Sequence, residues 1–215
     1  MQVLAVGADA AGLVIAAGGT LRMWADAGND VHAVLVRDVS SPPEDTRRAR
    51  EAFAGLDVRL HDAVELERIA DERAARDALM DVIRGVSPDV ILAPSGNSIH
   101  AKERELSRLV FGAAYCACVP NYPSPSGVSA ASVRAMILHT DPTLGFASGT
   151  PEYVDIDSAW AAKRAAIKCF EEAEAHLVAA EALSGARGVQ VQRERAEAFG
   201  MEPAWGRLRP YRVLP

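Results

Sequence analysis

The sequence is poor in the residues that bind transition metals or cross-link a chain. It contains three cysteines, and Cys116, Cys118 and Cys169 form no CxxC pair, so neither a disulfide framework nor a cysteine-built zinc site is expected. Histidines number five, which limits histidine-dependent metal chemistry to His32, His61, His100, His139 and His176. The composition therefore disfavours a histidine-rich metal centre.

Positive charge and long apolar runs are also scarce. Lys and Arg number 23 against 29 Asp and Glu, which gives a formal net charge of -6. Proteins that bind nucleic acid or anionic membranes carry a basic stripe, so neither partner is expected. No apolar stretch approaches the roughly 20 residues that span a bilayer, and Met1–Gly7 lacks the basic region of a signal peptide. We therefore expect a cytoplasmic protein whose oligomeric state the sequence leaves open, a homo-oligomer included.

The composition is that of a folded chain. Hydrophobic residues make up 49% of the sequence and charged residues 24%, which supplies enough apolar surface for a core and excludes disorder as the main state. A chain of 215 residues fits one domain. We therefore expect a single domain over residues 1–215.

Apolar runs alternate with helical patterns along the chain. Strands are predicted over residues 3–8, 30–37, 57–61, 89–93, 133–139 and 153–156. Helices are predicted over residues 13–27, 44–54, 65–85, 102–118 and 157–183. This alternation implies right-handed crossovers between parallel strands. The sequence therefore predicts an α/β fold: a Rossmann-like domain with a mainly parallel sheet and helices on both faces.

Two loops form the candidate site. In such a sheet the first and fourth predicted strands lie side by side, and ligands bind beyond their carboxyl ends, at residues 7–13 and 93–104. Gly7 and Gly12 suggest a dinucleotide-binding turn, but Asp9 places a negative charge where a pyrophosphate would approach the backbone amides. A nicotinamide or flavin cofactor is accordingly disfavoured. Residues 120–132, rich in Pro and Ser, indicate a surface loop and, as one interpretation, a lid.

Four segments in order along the chain resemble the PIG-L/LmbE-like zinc N-deacetylases. Residues 7–21 (GADAAGLVIAAGGTL) resemble the first motif of that family, GAHPDDxELGCGGTL, and end in the same Gly-Gly-Thr-Leu. Residues 88–94 and 98–103 are similar to its P-D-V-V and D-x-H-P-D-H motifs. The remaining matches are Tyr153–Ile156 with Trp160 and Lys163, and residues 195–199 with 208–210. The resemblance implies the same Rossmann-like fold.

The resemblance also implies a zinc site, and this sequence departs from it. In the family, a His and an Asp of the first motif and a His of the second hold zinc, another first-motif Asp is the general base, and another second-motif His stabilises the oxyanion. The ligand positions here carry Asp9, Gly12 and Glu103, and the base position carries Ala11. Only His100 keeps the family residue. We therefore expect no metal or other cofactor, the standard zinc chemistry being lost or altered.

Other interpretations of the same residues stay open. Two carboxylates and an imidazole suit a divalent ion, so any metal present would be held by Asp9, His100 and Glu103. Alternatively, Asp9 caps the helix that follows it, and Glu103 stabilises the first turn of its own helix. The histidine that the family has near the start of its last long helix falls at Phe170.

Two classes of function follow. The first is a divergent hydrolase that cleaves a linear amide C–N bond in an N-acyl amino sugar or a similar small polar metabolite. In it, His100 and Glu103 are catalytic, and Asp9, Asn97 and Ser98 contact the substrate. The second is a non-catalytic pseudoenzyme that binds a ligand or partners an active relative in a small-molecule pathway.

Overall fold

The structure is a computed structural model that describes residues 1–38, 43–66, 72–131, 135–140 and 152–201. The predicted matches at residues 208–210 lie outside this part of the chain. The described residues form eight strands: β1 Gln2–Gly7, β2 Asp30–Asp38, β3 Arg59–Leu60, β4 Val64–Leu66, β5 Val90–Pro94, β6 Met136–Thr140, β7 Glu152–Asp155 and β8 Ala196–Met201. They also form six α-helices: α1 Ala10–Asp26, α2 Pro43–Gly55, α3 Glu72–Val86, α4 Ala101–Ala117, α5 Trp160–Ile167 and α6 Ala173–Gln190.

The strands pair in one mainly parallel sheet of order β3-β2-β1-β5-β6-β8-β7, with β4 beside β2. The pairs from β3 to β6 are parallel, whereas β8 runs antiparallel to both β6 and β7. The predicted pairing of the first and fourth strands is confirmed, since β1 lies against β5 with Leu4 opposite Ile91. The strand order reverses between these two strands, so a crevice opens beyond their carboxyl ends.

Helices cover both faces of the sheet, as the sequence predicts. Val3 and Ala5 of β1 pack on the side of α1, α2, α5 and α6, and Leu4 and Val6 pack on the side of α3 and α4. All four are fully buried. Alternate side chains of one strand thus enter two separate cores, which is why β1 is a continuous apolar run.

Several elements differ from the predictions. The short β4 was not predicted, and the helix predicted over residues 65–85 is wrong at its start, because residues 65–66 belong to this strand and α3 begins at Glu72. Strand β8, where the charged Glu197 interrupts the apolar pattern of a buried strand, was not predicted either. The single helix predicted over residues 157–183 is instead a 3-10 turn at Asp157–Ala159, then α5, then α6. After α5 the backbone forms two hydrogen bonds from residue i to residue i−3. The Cys169 N–H donates to the Ala166 carbonyl at 3.2 Å, and the Phe170 N–H donates to the Ile167 carbonyl at 3.1 Å.

The Pro- and Ser-rich loop after α4 is held against α3. The Arg84 side chain donates to five backbone carbonyls, those of Cys116, Ala117, Val119, Tyr122 and Val128. The Ser124 hydroxyl donates to Asp81 Oδ1 at 2.6 Å. The loop joins the end of α4 to the start of β6. It therefore lies at the amino ends of the parallel strands, opposite the crevice at their carboxyl ends. This placement is against the interpretation of the loop as a lid.

In the described part of the chain, none of the helices has the length and apolar character needed to cross a membrane.

Candidate small-molecule site

The loop after β1 is built around the carboxylate of Asp9. Asp9 has an extended backbone and is the N-cap of α1, where the Gly12 N–H donates to its Oδ1 at 2.6 Å. A Cβ added at Gly12 would lie 3.0 Å from Asp9 Oδ2 and 3.1 Å from Oδ1. The carboxylate therefore accepts the hydrogen bond of the Gly12 amide. It also contacts the space in which a side chain at position 12 would begin. An anion at this helix end would have to displace it.

The loop after β5 uses Ser98 and Glu103 to start α4. The Ser98 hydroxyl donates to Glu103 Oε2, and the His100 N–H donates to Ser98 Oγ at 3.1 Å. Ser98 and Glu103 are both buried, with 2% and 8% of their surface exposed. Arg104 holds the same loop by donating to the carbonyl of Ser98 at 2.6 Å and to that of Ile99 at 2.8 Å. Ser98 thus connects the backbone at the N-cap of α4 to a side chain in its first turn.

Asn97 and His100 are exposed on this loop. The Asn97 N–H donates to Ser95 Oγ at 3.2 Å. His100 is the N-cap residue of α4, but its ring makes no capping hydrogen bond.

A cavity of about 340 Å³ lies beyond the carboxyl ends of β1 and β2. It lies between the start of α1, the start of α2, the start of α4 and the connection from α5 to α6. Its lining residues are Ala8, Asp9, Ala10, Ala11, Leu35, Arg37, Asp45, Arg48, Lys102, Phe170, Glu171, Glu172 and His176. Of the residues assigned to the site from the sequence, Asp9 lines this cavity, whereas Asn97, Ser98, His100 and Glu103 do not.

The cavity carries charges of both signs. Four carboxylates line it, from Asp9, Asp45, Glu171 and Glu172, together with the cations of Arg37, Arg48 and Lys102. Arg48 donates to Glu171 at 2.9 Å, which ties α2 to the connection between α5 and α6. Leu35 and Phe170 add apolar surface. Such a lining offers hydrogen-bond donors, acceptors and one aromatic face to a small polar molecule.

The sequence did not predict that residues of α2 and of the connection between α5 and α6 line the cavity. Arg48 lies in a helix of alternating charges that resembles a solvated surface, and His176 follows a helix break that was not predicted. Neither residue belongs to a motif. The weak signal was the family histidine position at Phe170, which does lie at the cavity.

The zinc centre implied by the resemblance does not fit these residues. Gly12 has no side chain, the Asp9 carboxylate accepts from the Gly12 amide, and Glu103 is buried and accepts from Ser98. Nor does the structure assemble the alternative set of Asp9, His100 and Glu103. Across the described ranges, no three His, Cys, Asp or Glu side chains form a group that could hold a metal ion.

Lys163, from the third segment that resembles the family, and Glu197, from the fourth, form a buried ion pair that also bonds to the backbone of α1. Lys163 Nζ lies 2.7 Å from Glu197 Oε1, and both side chains are almost fully buried. Glu197 accepts from the amides of Gly19 and Thr20 at 2.9 and 2.8 Å, and Lys163 donates to the Ile15 carbonyl at 2.7 Å. Burial lowers the pKa of Lys163, and the charge of Glu197 opposes that change. These residues hold the helix whose N-cap is Asp9, and they do not line the cavity.

No family model and no curated protein matches the chain. Solved structures do match. The conserved protein TT1542 from Thermus thermophilus is 20% identical with a TM-score of 0.81, covering 99% of both chains. GalB, the 4-carboxy-2-hydroxymuconate hydratase from Pseudomonas putida, is 20% identical with a TM-score of 0.79, covering 99% of this chain and 100% of that one.

A third structure connects the fold with the predicted family. N,N'-diacetylchitobiose deacetylase from Pyrococcus horikoshii is 17% identical with a TM-score of 0.73, covering 94% of this chain and 83% of that one. At such identities the similarity establishes the fold and not the activity. The predicted fold is confirmed.

Proposed function

We propose that this chain, which has the PIG-L/LmbE-like fold, binds a small amino sugar in the cavity beside Asp9 and does not perform zinc-dependent deacetylation. The observation that carries the proposal is the state of Asp9. Its carboxylate lines the cavity, yet it caps α1 and fills the place of the neighbouring ligand side chain. The site thus keeps a place for a ligand without the residues of the family's metal centre.

The lining of the cavity favours a hydroxyl-rich molecule with a free amine. The carboxylates of Asp9, Asp45, Glu171 and Glu172 suit an ammonium group, and the guanidinium groups of Arg37 and Arg48 suit hydroxyl oxygens. Phe170 provides a flat apolar surface for the C–H face of a sugar ring. A deacetylated amino sugar combines these three features in one small molecule.

The comparisons support this choice of ligand class. One protein with the same fold is by its name a deacetylase of an acetylated amino sugar, N,N'-diacetylchitobiose. Another is a hydratase, so the fold hosts more than one reaction. A chain that keeps the crevice and changes the chemical groups in it is consistent with both facts.

The missing groups argue against the family reaction. Zinc-dependent amide hydrolysis needs three protein ligands that leave an open position for water, and a base that takes the proton of that water. Ala11, at the base position, has no titratable group, and Gly12 has no ligand atom in its side chain. Neither step of that reaction can be assigned to these residues.

A metal-free hydrolase is the second candidate, and one contact favours it. The Gly12 amide bonds to Oδ1 of the exposed Asp9 carboxylate, a group that lines the cavity, and in this candidate the other oxygen is the base for water. Release of acetate from N-acetylglucosamine distinguishes the two candidates. If the protein releases acetate without zinc, the binding proposal is wrong and the metal-free hydrolase is correct.

The test combines metal analysis, calorimetry and an acetate assay on the full chain purified without chelators. We expect substoichiometric zinc, no acetate released from N-acetylglucosamine with or without added zinc, and binding of glucosamine. Asp9→Asn keeps the helix cap, because Asn caps as well as Asp, and should weaken glucosamine binding by about tenfold through loss of the charge. Glu105→Gln, an exposed charge on α4 that does not line the cavity, is the matched control and should bind normally.

Besides release of acetate without zinc, two results would overturn the proposal. One is stoichiometric zinc that is lost in Asp9→Asn and Glu103→Gln, together with zinc-dependent release of acetate. The other is wild-type protein that does not bind glucosamine.

A further inference from the structure

One histidine lies at the cavity without belonging to any motif. His176 is in the first turn of α6, where its N–H donates to the Glu172 carbonyl at 3.0 Å. Its half-buried ring lines the cavity and stands edge-on to the ring of Phe170, with centroids 6.3 Å apart and an angle of 86° between the planes. Helix and aromatic contact together fix the direction of the imidazole.

The two ring nitrogens have different surroundings. His176 Nδ1 is fully enclosed and has no hydrogen-bond partner among the residues that the structure describes. A proton on this nitrogen would be a buried donor without an acceptor, which is an unfavourable state. The neutral ring avoids it by carrying its hydrogen on Nε2, because the two nitrogens of a neutral imidazole are one donor and one acceptor.

We propose that His176 contacts the ligand and donates its Nε2–H to an oxygen of the amino sugar. The inference rests on the proposed function, because it assigns a residue to that same cavity. It follows from three observations: the ring lines the cavity, the contact with Phe170 orients it, and Nδ1 is enclosed by protein. Nε2 is therefore the nitrogen that reaches a ligand. His176 is thus the histidine at the cavity, whereas His100, to which the sequence assigned a catalytic role, does not line it.

Two amide substitutions test which nitrogen acts. The nitrogen of a Gln side chain reaches about as far as Nε2 of His, whereas that of Asn reaches only as far as Nδ1. We expect His176→Gln to bind glucosamine within about threefold of wild type, and His176→Asn to lose about tenfold or more in affinity, the loss of roughly one hydrogen bond. The melting temperatures of both variants show whether folding is intact.

A measurement on the unmutated protein supports the variants. In protein labelled with 15N-histidine, the proposal requires His176 to carry hydrogen on Nε2 and its Nε2 resonance to shift when glucosamine is added. A ring that carries hydrogen on Nδ1 would overturn the assignment, even if a variant failed to fold. Equal binding by His176→Gln, His176→Asn and wild type would overturn it as well, as would equal loss in both variants.

These outcomes are distinguishable from failure of the proposed function. If wild-type protein does not bind glucosamine, the ligand class is wrong and the role of His176 is overturned with it. If wild type binds and the variants or the resonances contradict the assignment, the cavity remains the site and only the role of His176 is overturned.

Discussion

At the residue scale, the absence of a side chain at Gly19 allows α1, which carries Asp9 at its N-cap, to pack closely against Ile156. A Cβ added at Gly19 would lie 2.8 Å from both Cβ and Cγ2 of Ile156, which is closer than carbon atoms approach in proteins. The neighbouring Gly18 would place its Cβ 3.3 Å from Lys163 Cγ. The Gly-Gly pair that matches the family motif therefore lets α1 pack closely against the segment before α5. The motif at this point encodes packing and not chemistry.

Replacing Gly19 with Ala should destabilise the fold. The added methyl group has to displace Ile156, and such overpacking typically costs about 1–3 kcal/mol, more than the helix propensity that Ala gains. Urea unfolding measures the difference. Gly185→Ala is the matched control, since Gly185 is also in a helix but has open space where the Cβ would be. It should stabilise by about 0.5–1 kcal/mol, and equal effects of the two substitutions would contradict the packing argument.

At the scale of elements, the Lys163–Glu197 pair joins α5 and β8 to the middle of α1. Each charge is buried, and each also bonds to the backbone of α1, so the three elements share one polar contact inside an apolar core. A buried charge without its partner is far more destabilising than the loss of the whole pair. The stability of the element packing therefore depends on both residues being present or both being neutral.

A double-mutant cycle on this pair tests that coupling. Lys163→Met alone should cost about 3–5 kcal/mol, because it leaves the Glu197 carboxylate buried without a cation. Lys163→Met combined with Glu197→Gln should be less destabilised than Lys163→Met alone, since Gln is neutral and its one amide oxygen still accepts from one of the two α1 amides. Chemical denaturation of all four proteins gives the coupling energy. Additive losses would show that the two charges act independently.

The loop after α4 has a contact to α3 that depends on pH. Burial raises the pKa of Asp81, but hydrogen bonds from Ser124 and Ser126, with the charge of Arg84, outweigh it and lower the pKa below its ordinary value of 3.8. A carboxyl group whose pKa is lower in the folded state stabilises fully above its unfolded pKa, and this contribution is lost as pH falls through the folded value.

The predicted result is an acid-dependent loss of stability that Asp81→Asn removes in part. Wild-type protein should lose this contribution below about pH 4, whereas Asp81→Asn should be less stable at pH 7 and show a smaller decrease between pH 5 and pH 3. Urea unfolding across this range measures both. Asp26→Asn, an exposed aspartate on α1, is the control. Parallel curves for wild type and Asp81→Asn would contradict the assignment.

The sequence predicted the elements that a local pattern defines and missed those that tertiary contacts define. β1 and β5 are continuous apolar runs because both faces are buried, β2 is an apolar run that His32 interrupts, and the predicted bounds of all three agree with the structure to within one residue. β8 was missed because its buried Glu197 pairs with a lysine far away in sequence. The α5–α6 break was missed because α5 and α6 together form one helical pattern.

Only one part of the cavity lining follows from a local pattern in the sequence. Asp9, which lines the cavity, follows a strand and precedes a helix. The rest of the lining comes from α2, α4 and the α5–α6 connection, which the fold brings together. No spacing in the sequence predicts a meeting of residues as far apart as Arg48 and Glu171. His100 and Glu103 kept motif positions, but Glu103 serves the start of α4.

At the scale of the whole molecule, the fold by itself does not determine the chemistry of a site. The chain shares its fold with a deacetylase and a hydratase. The departures from the family's zinc motif are a few side chains on two loops, at positions 9, 11, 12 and 103. If the scaffold has been retained, returning those side chains should restore a metal site without altering the fold.

Four substitutions test whether the scaffold still accommodates zinc: Asp9→His, Ala11→Asp, Gly12→Asp and Glu103→His. We expect the quadruple variant to bind about one zinc ion and to melt at a higher temperature with zinc than without it, since a ligand that binds only the folded state stabilises it. Gly12→Asp alone should bind no zinc and lose stability, because its Cβ lies about 3 Å from the Asp9 carboxylate and places two negative charges together. Elemental analysis and thermal melts measure both. A folded quadruple variant that binds no zinc would show that these four positions do not correspond to the family's zinc site.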